Sequence, residues 1–403
     1  MAFEFFDQNS TIFMLLIAWI MILAGAKALR LEKRGFEIKP FMLTYKNHNV
    51  SGTLDKMLSN KTAVKIFADV GVVGGALMMA FALWFLINNL NNFFTATESF
   101  SEVTLLIPGV TIRSAPNLMY FLLAAPIVLV IHEVAHGIVA RLERIKVKSG
   151  GFAIIIAIIA GFVEPDEEEF GKAKKISKVR VIAAGSASNV LFSFVIAGLL
   201  MFNPMFGNIL DMVSPGVRSA FYNDPIGVPV LQIQDGSGAE IAGMKANDII
   251  TSINGIPIRT SGDFAKVDLK PGEQASVTVI RDGETLNLTV PVSSAPDNPD
   301  KGLLGIIRGP FPYIPPKVPY YIPWPAPVFT FLLWVWMLSF FIGIFNMLPM
   351  FPLDGEKYVS SALEQKVSKL SLLVTRIGIN AIAFGLLGSN IAATVIKSGF
   401  IAI

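Results

Sequence analysis

The sequence predicts a polytopic α-helical membrane protein that carries a soluble, mixed α/β domain between two of its membrane segments. Composition supports this fold class first. Of the 403 residues, 53% are hydrophobic, and the mean hydropathy is +0.59. Only 16% are charged, against about 25% in ordinary soluble domains. A soluble core cannot bury that much apolar surface, whereas a bilayer can.

Segment length supports it second, because a membrane helix needs roughly 20 apolar residues. Six segments are about long enough: 11–29, 70–87, 118–140, 179–202, 328–348 and, weakest, 370–396. The first has no basic leader or small-residue cleavage site, so we expect a retained helix and no signal peptide. The apolar stretch 151–163 is too short to span. It predicts a re-entrant β strand or hairpin, or else a short helix packed on the bundle.

The residue inventory limits the chemistry. The chain contains no cysteine, which excludes disulfides, thiolate metal ligands and cysteine nucleophiles. It has only three histidines, His48, His132 and His136. The net charge of +3 is too small to indicate nucleic-acid binding, and no nucleic-acid partner is expected.

Lysine and arginine in the short loops predict the orientation in the cell membrane. Basic residues are dense after the first and third segments, whereas the loop between the second and third offers little beyond Arg113. We therefore expect the N-terminus outside and the basic loops in the cytoplasm. His132 and His136 then lie near the cytoplasmic end of the third segment. The soluble domain, which follows the fourth segment, is expected to be extracytoplasmic.

The soluble domain is predicted from its strand and turn signals. Residues 228–233 and 275–280 are typical of strands, and 285–292 alternate between apolar and polar residues. Asn254-Gly255 and Asp282-Gly283 are turn signals. The chain continues through a stretch rich in proline and aromatic residues, which predicts a semi-rigid linker.

These features predict five regions. They are 1–110 with the N-terminal transmembrane helices and loops, 111–205 with the membrane core that contains the histidine pair, 206–309 with the extracytoplasmic domain, 310–327 with the linker, and 328–403 with the C-terminal transmembrane helices and a candidate third metal ligand.

His132-Glu133-Val134-Ala135-His136 follows the pattern H-E-x-x-H. Histidines four residues apart lie on one face of a helix, so both imidazoles can reach one metal ion. The glutamate between them can then act on a water molecule. The pattern is short and arises by chance, but ionisable residues in an apolar membrane helix are costly and usually functional. We therefore favour a metal site over a structural polar cluster.

A catalytic zinc site usually has three protein ligands and one open position. The third ligand must be His48 or a carboxylate, and His48 lies in a polar loop where we expect it to be solvated. Asp354 is the better candidate, because it follows the fifth segment at the same expected depth and side as the histidines. Pro349 and Pro352 precede it and break the helix. The alternative for Asp354 is a helix N-cap.

An H-E-x-x-H motif in one membrane helix, with a later N-x-x-P-x-x-P-L-D-G segment at 346–355, resembles the site-2 protease family of intramembrane zinc metalloproteases. The resemblance implies that Zn²⁺ is bound by His132, His136 and Asp354. It also implies that Glu133 is the general base.

The same family has a Gly-Pro-x-x-Asn-like feature, which residues 185–189 match without the proline. Through this resemblance, Asn189 and Asn346 become catalytic candidates that polarise the scissile carbonyl as oxyanion-type donors. Either asparagine could instead bond one helix to another.

The soluble domain resembles a PDZ domain of the bacterial protease type in residues 227–233, 242–250 and 253–255. We call residues 206–309 the PDZ-like domain. PDZ domains add a peptide strand to a sheet edge. The peptide-binding loop is expected at Gly227, Val228, Pro229 and Val230, although Pro229 lacks one N–H donor. The alternative is a domain that filters substrates by size and binds no ligand.

The function that the family resemblance implies is zinc-dependent intramembrane endopeptidase activity. Its partners are membrane-tethered substrates with a transmembrane helix, cleaved in or near that helix in regulated intramembrane proteolysis. We hypothesise that the stretch 151–163 pairs with the unwound substrate. Three alternatives remain open at this point: a metal-ion transporter, a non-catalytic membrane scaffold that acts through the PDZ-like domain, and another membrane zincin whose third ligand is a glutamate.

Overall fold

The computed structural model describes residues 10–156, 158–213, 215–295, 298–318, 322, 324–364 and 367–402. The chain divides into two compact units, the first formed by residues 1–196 and 327–403 and the second by residues 197–326. Four positions of the predicted linker, Pro319, Tyr320, Tyr321 and Pro323, lie outside the described residues.

The described helices are α1 (Ser10–Ala28), α2 (Ser51–Met57), α3 (Lys61–Thr95), α4 (Ala115–Leu142), α5 (Glu167–Lys172), α6 (Lys175–Leu200), α7 (Pro204–Val213), α8 (Pro215–Phe221), α9 (Gly238–Ile241), α10 (Ala326–Phe345), α11 (Asp354–Leu363) and α12 (Lys369–Ser398). The described strands are β1 (Phe36–Lys39), β2 (Met42–Asn47), β3 (Val147–Ile155), β4 (Ile158–Pro165), β5 (Val228–Ile233), β6 (Ile249–Ile253), β7 (Ile256–Pro257), β8 (Gln274–Arg281), β9 (Glu284–Pro291), β10 (Ser293–Ala295), β11 (Asn298–Leu303) and β12 (Ile306–Arg308).

Six helices in the described part of the chain are long and apolar enough to cross a membrane: α1, α3, α4, α6, α10 and α12. Each overlaps one predicted segment, which confirms a polytopic helical membrane protein. Helix α3 is much longer than its predicted segment and has 35 residues. It begins where the side chain of Asn60 accepts a hydrogen bond from the Ala63 N–H at 3.0 Å, so a polar cap and not the apolar run decides its start.

The first unit contains a four-stranded antiparallel sheet in the order β1-β2-β3-β4. Of the stretch 151–163, residues 151–155 lie in β3 and residues 158–163 in β4, so the predicted hairpin is confirmed and the short helix is wrong. Strands β1 and β2 were not predicted. They join the sheet because β2 pairs with β3, with Tyr45 opposite Phe152, and because Phe36 packs against both of these rings.

This sheet lies beside membrane helices. The indole N–H of Trp19, near the middle of α1, donates to the Pro40 carbonyl at 2.7 Å in the turn between β1 and β2. Gly161 of β4 lies so close to α4 that a Cβ there would fall 2.9 Å from the Val130 side chain. Glycine thus allows β4 to pack directly on the helix that carries the histidines.

The second unit is a mixed α/β structure around a sheet in the order β12-β5-β6-β8-β9, with β7 paired to β6. The predicted inserted domain is therefore confirmed as α/β. Asp282 and Gly283 both have positive φ in the turn between β8 and β9, which favours Asp-Gly in a two-residue hairpin turn. The fully buried core includes Val228, Val230, Ile250, Ile253, Val277, Val279 and Val290.

The first part of the predicted linker is bonded within the second unit. Backbone bonds join Tyr313 to Gly227 and Lys317 to Phe221, both at 2.8 Å, and the Asn208 amide donates to the Pro312 carbonyl at 3.0 Å. Prolines leave few donors on such a segment, and the N–H groups and carbonyls that remain bond to the neighbouring chain.

Candidate metal centre

Helix α4 places His132 and His136 on one face, one turn apart. Ser114 caps its first turn, and Pro116 stands near the start, where a missing N–H costs nothing. His132 is buried, with 5% of its surface exposed, and His136 is partly buried. A buried pair of polar rings needs partners to offset its desolvation.

The partner is Asp354, from a distant part of the chain. Its Oδ2 lies 3.1 Å from Nε2 of His132 and 3.1 Å from Nε2 of His136, and the two Nε2 atoms are also 3.1 Å apart. Three ligand-type atoms therefore form an equilateral triangle. In the described part of the chain, this is the one group of three His, Asp or Glu residues arranged to hold a metal ion.

Local sequence explains how Asp354 reaches the histidines. Helix α10 ends at Phe345, and the proline-containing turn that follows brings the chain back to start α11. Gly355 is required here, because a Cβ would fall 2.1 Å from the Met347 carbonyl oxygen. The N-cap of α11 is Leu353, without a side-chain bond. The N-cap alternative for Asp354 is therefore wrong, and its carboxylate is free to face the two imidazoles.

The donor set fits a zinc ion. Two imidazole nitrogens and one carboxylate oxygen are usual zinc ligands, and tetrahedral bonds of about 2.0–2.1 Å place ligand atoms about 3.3 Å apart, close to the 3.1 Å observed. Gly185 of α6 leaves room beside them, since a Cβ there would lie 2.4 Å from Nε2 of His136 and 2.6 Å from Nε2 of His132.

Glu133 lies next to the cluster, between the two histidines on α4. Its Oε2 accepts a hydrogen bond from the Val163 N–H of β4 at 3.2 Å. Glu133, His136 and Asp354 line a cavity of about 770 Å³. The carboxylate is thus held beside open space large enough for water and an extended peptide.

Charged side chains also line this cavity, among them Lys39, Lys46, Glu164 and Lys357. The Ser149 hydroxyl donates to Glu164 at 2.6 Å and, with nearby Lys46, holds the pKa of Glu164 below its ordinary value. Glu164 is therefore ionised at neutral pH.

The two predicted asparagines lie at different atoms of the cluster. Asn346 Nδ2 contacts the metal-facing atoms, 2.8 Å from Asp354 Oδ2 and 3.1 Å from His132 Nε2. Asn189 is completely buried, and its amide lies 3.2 Å from Nδ1 of His132. His48 is exposed in the turn after β2 and takes no part in the cluster.

The structure leaves no free sheet edge at the predicted peptide-binding loop, Gly227, Val228, Pro229 and Val230. Strand β5 is paired on both sides, with β6 through Val228 and Pro229 and with β12 through Val230. Its carbonyls are also occupied, since Gly309 N–H donates to Pro229 and Tyr313 N–H donates to Gly227. A peptide that adds a strand to this sheet has to pair with an edge strand, β12 or β9.

Sequence reasoning missed two backbone groups of the site. The Val181 carbonyl lies 2.7 Å from Nδ1 of His136, and the Val163 N–H bonds Glu133. Backbone groups leave no signal in residue identity. Strands β1 and β2 supply Lys39 and Lys46 to the cavity. Their ten residues show only a weak alternation of apolar and polar side chains in the sequence, so these strands were not predicted.

Comparison with known proteins decides the family. A family model described as "Peptidase family M50" matches residues 120–387, two thirds of the chain, including all three residues of the triangle. The chain belongs to peptidase family M50. It is therefore a site-2-type metallopeptidase with several membrane-crossing helices.

Similar proteins fall into two groups. This M50 chain is 22% identical over 375 residues to the uncharacterised protein MJ0971 of Methanocaldococcus jannaschii, covering 90% of this chain and 88% of that protein. It is 34% identical over 94 residues to a probable periplasmic serine endoprotease DegP-like of Ectopseudomonas mendocina. That match covers 23% of this chain and only 20% of the endoprotease.

Solved structures resemble a part of this M50 peptidase. The PDZ domain of an SdrC-like protein from Listeria monocytogenes is 20% identical and aligns with a TM-score of 0.19, covering 21% of this chain and 87% of that domain. The solution structure of GtR34C from Geobacillus thermodenitrificans is 30% identical, with a TM-score of 0.18, and covers 20% and 94% respectively.

Proposed function

We propose that this M50 peptidase is a zinc-dependent intramembrane endopeptidase that hydrolyses peptide bonds in or near transmembrane helices of membrane-tethered substrates. The observation that carries the proposal is the triangle of His132, His136 and Asp354 inside a bundle of membrane-crossing helices, with Glu133 beside it. Substrates of this class undergo regulated intramembrane proteolysis. The transporter alternative requires ligands spread over several helices, and the described residues contain one compact set.

The chemistry divides between the ion and the chain. A zinc ion held by the three residues supplies Lewis acidity and makes water a better nucleophile at neutral pH. Glu133 accepts the proton of the attacking water as the new C–O bond forms. It then delivers this proton to the amine nitrogen as the C–N bond breaks. The Val163 N–H holds the Glu133 carboxylate toward the cavity during both transfers.

Asn346 is proposed to stabilise charge on the scissile carbonyl oxygen. Its amide nitrogen is the donor that contacts the metal-facing atoms of both His132 and Asp354. A fixed N–H donor at the position where negative charge develops stabilises the transition state.

Strand β4 is proposed to hold the unwound substrate. It is an edge strand of its sheet, and the Val163 N–H points out of the sheet because it bonds Glu133. Backbone N–H groups alternate in direction along a strand, so those of Gly161 and Ile159 also point outward. A substrate strand that pairs with this edge of β4 extends to Glu133.

The orientation proposed from the basic loops places the cavity on the cytoplasmic side of the cell membrane and the PDZ-like domain outside. The basic side chains Lys39, Lys46 and Lys357 at the cavity support this orientation. Water and the departing peptide then exchange with the cytoplasm.

The deciding experiment compares the purified wild type with Glu133→Gln on a single-span model substrate, with bound zinc measured in both. Loss of the general base should lower the cleavage rate about 10²- to 10⁴-fold at equal zinc content. Equal cleavage by both proteins would refute the role of Glu133. Zinc in neither protein would refute the metal site.

A further inference from the structure

Helix α6 touches both imidazoles at their outer nitrogens. Val181, Gly185 and Asn189 follow one another at intervals of four residues and so share one face of α6. The first contacts His136 Nδ1 through its carbonyl, and the last contacts His132 Nδ1 through its amide. Between them, Gly185 provides the space that the rings occupy.

The His136 contact shows what such a support does. A ring that binds metal through Nε2 must carry its proton on Nδ1. At His136 this N–H donates to the Val181 carbonyl at 2.7 Å. The carbonyl thereby fixes both the tautomer and the orientation of the ring.

His132 has the same requirement, because its Nε2 also faces the triangle. Its Nδ1–H needs an acceptor, and the group in reach is the Asn189 amide at 3.2 Å. If the amide nitrogen donated to Nδ1, the ring proton would lie on Nε2 and point into the metal site. Only the amide oxygen is compatible with metal binding through Nε2.

The surroundings of Asn189 leave the orientation of its amide to be decided by His132. Its Oδ1 is buried and has no hydrogen-bond partner among the described residues. The two ends of an amide have the same shape, so hydrogen bonding decides between them. A half-turn of the amide brings Oδ1 to His132. Since no other described group bonds the Oδ1 end, no hydrogen bond opposes this half-turn.

We propose that Asn189 is a positioning residue whose amide oxygen accepts the Nδ1–H of His132 and so directs Nε2 of this ring to the zinc ion. This inference rests on the proposed zinc site. It gives the two asparagines separate roles: Asn346 lies at the metal-facing atoms, whereas Asn189 contacts the ring nitrogen away from them. Asn189 acts through His132 and does not touch the substrate.

The test measures zinc affinity of the purified full-length protein by chelator competition, beside cleavage. Asn189→Leu removes the acceptor and should weaken zinc binding about 10- to 100-fold, as loss of an orienting partner does. Asn189→Asp keeps an acceptor and should bind zinc as tightly as the wild type or more tightly. Ser193→Ala, one turn further along α6 and bonded to the Val190 carbonyl, is the matched control and should change nothing.

Wild-type zinc affinity in Asn189→Leu, with cleavage lost, would overturn the proposal in favour of a direct catalytic role. If Asn189→Asp bound zinc as weakly as Asn189→Leu, this result would also overturn the proposal. A second measurement needs no variant: the ¹⁵N spectrum of His132 in zinc-free wild type should show the Nδ1–H tautomer, and an Nε2–H tautomer would overturn the inference. A wild type that binds no zinc would instead refute the proposed function, while this spectrum still decides the role of Asn189.

Discussion

Two buried aspartates, one in each unit, show how different the two parts of the molecule are. Asp248 in the PDZ-like domain is 1% exposed, and Arg281 bonds both of its oxygens, at 2.6 and 2.7 Å. Asp354 in the membrane core is 7% exposed, yet its close partners are two histidines and an asparagine. The first carboxylate is neutralised by a permanent cation. Among the described residues, the second has one ion-pair partner besides the two histidines, the exposed Lys357 at 3.4 Å.

A structural buried charge and a functional one differ in the chemistry of their partners. A bidentate arginine pair is complete without a ligand, so Asp248 belongs to the fold of its domain. A carboxylate beside imidazole nitrogens is incomplete, and a divalent cation is the partner that supplies the missing charge. Burial alone does not separate the two cases, whereas the chemistry of the partners does.

The largest expected effects come from replacing each of the two aspartates in turn. Asp354→Ala should abolish zinc binding and cleavage while the helices stay folded, because the site loses one of three ligands. Asp248→Ala should keep zinc and destabilise only the PDZ-like domain, by about 1–3 kcal/mol, because the partly exposed guanidinium of Arg281 loses its carboxylate partner.

Zinc content and hydrogen exchange of the full-length protein measure both effects together. Faster exchange confined to residues 227–308 is expected for Asp248→Ala alone. If Asp354→Ala kept its zinc, the third ligand would be another carboxylate, as in the membrane zincin alternative.

A smaller change tests the space at the metal centre. Gly185→Ala should weaken zinc binding by more than the roughly 10- to 100-fold expected from loss of an orienting partner, because its Cβ would come within 2.4 Å of His136 Nε2. Gly198→Ala on the same helix is the matched control, since a Cβ there meets nothing within 4 Å. Equal zinc affinity in both variants would show that the rings can move aside.

A substitution at the edge of β4 is expected to have a weaker effect, which concerns substrate binding alone. Ile159→Pro removes one outward N–H while leaving the bonds between β3 and β4 in place. Loss of one hydrogen bond, about 0.5–1.5 kcal/mol, should raise KM about 2- to 10-fold without changing zinc content. Cleavage of a single-span substrate measures this, and unchanged kinetics would remove β4 as the substrate platform.

Sequence predicted the parts of this fold that depend on local patterns. Each of the six apolar segments can be recognised within the length of one helix, and so can the spacing of His132 and His136. The turn around Asp354 is marked by its prolines. Pairing between distant segments was not predictable. Tyr45 meets Phe152 across about a hundred residues, and β12 pairs with β5 across more than seventy. The latter pairing moved the free edge of the PDZ-like domain away from Gly227.

The smallest expected effect is a pH-dependent one at the surface of the PDZ-like domain. Asp263 accepts bonds from Lys266 and from the Thr260 and Arg259 N–H groups, and these hold its pKa far below the ordinary value. A lowered pKa in the folded state stabilises the fold above the pKa of the unfolded state, about 3.9, and this stabilisation is lost as pH falls further. Asp263→Asn should therefore speed hydrogen exchange around the helical turn Ser261–Lys266 at neutral pH, and the difference from wild type should shrink below about pH 4. A difference that persisted unchanged in acid would mean that Asp263 acts through its shape and hydrogen bonds alone, and that its charge contributes nothing to the cap.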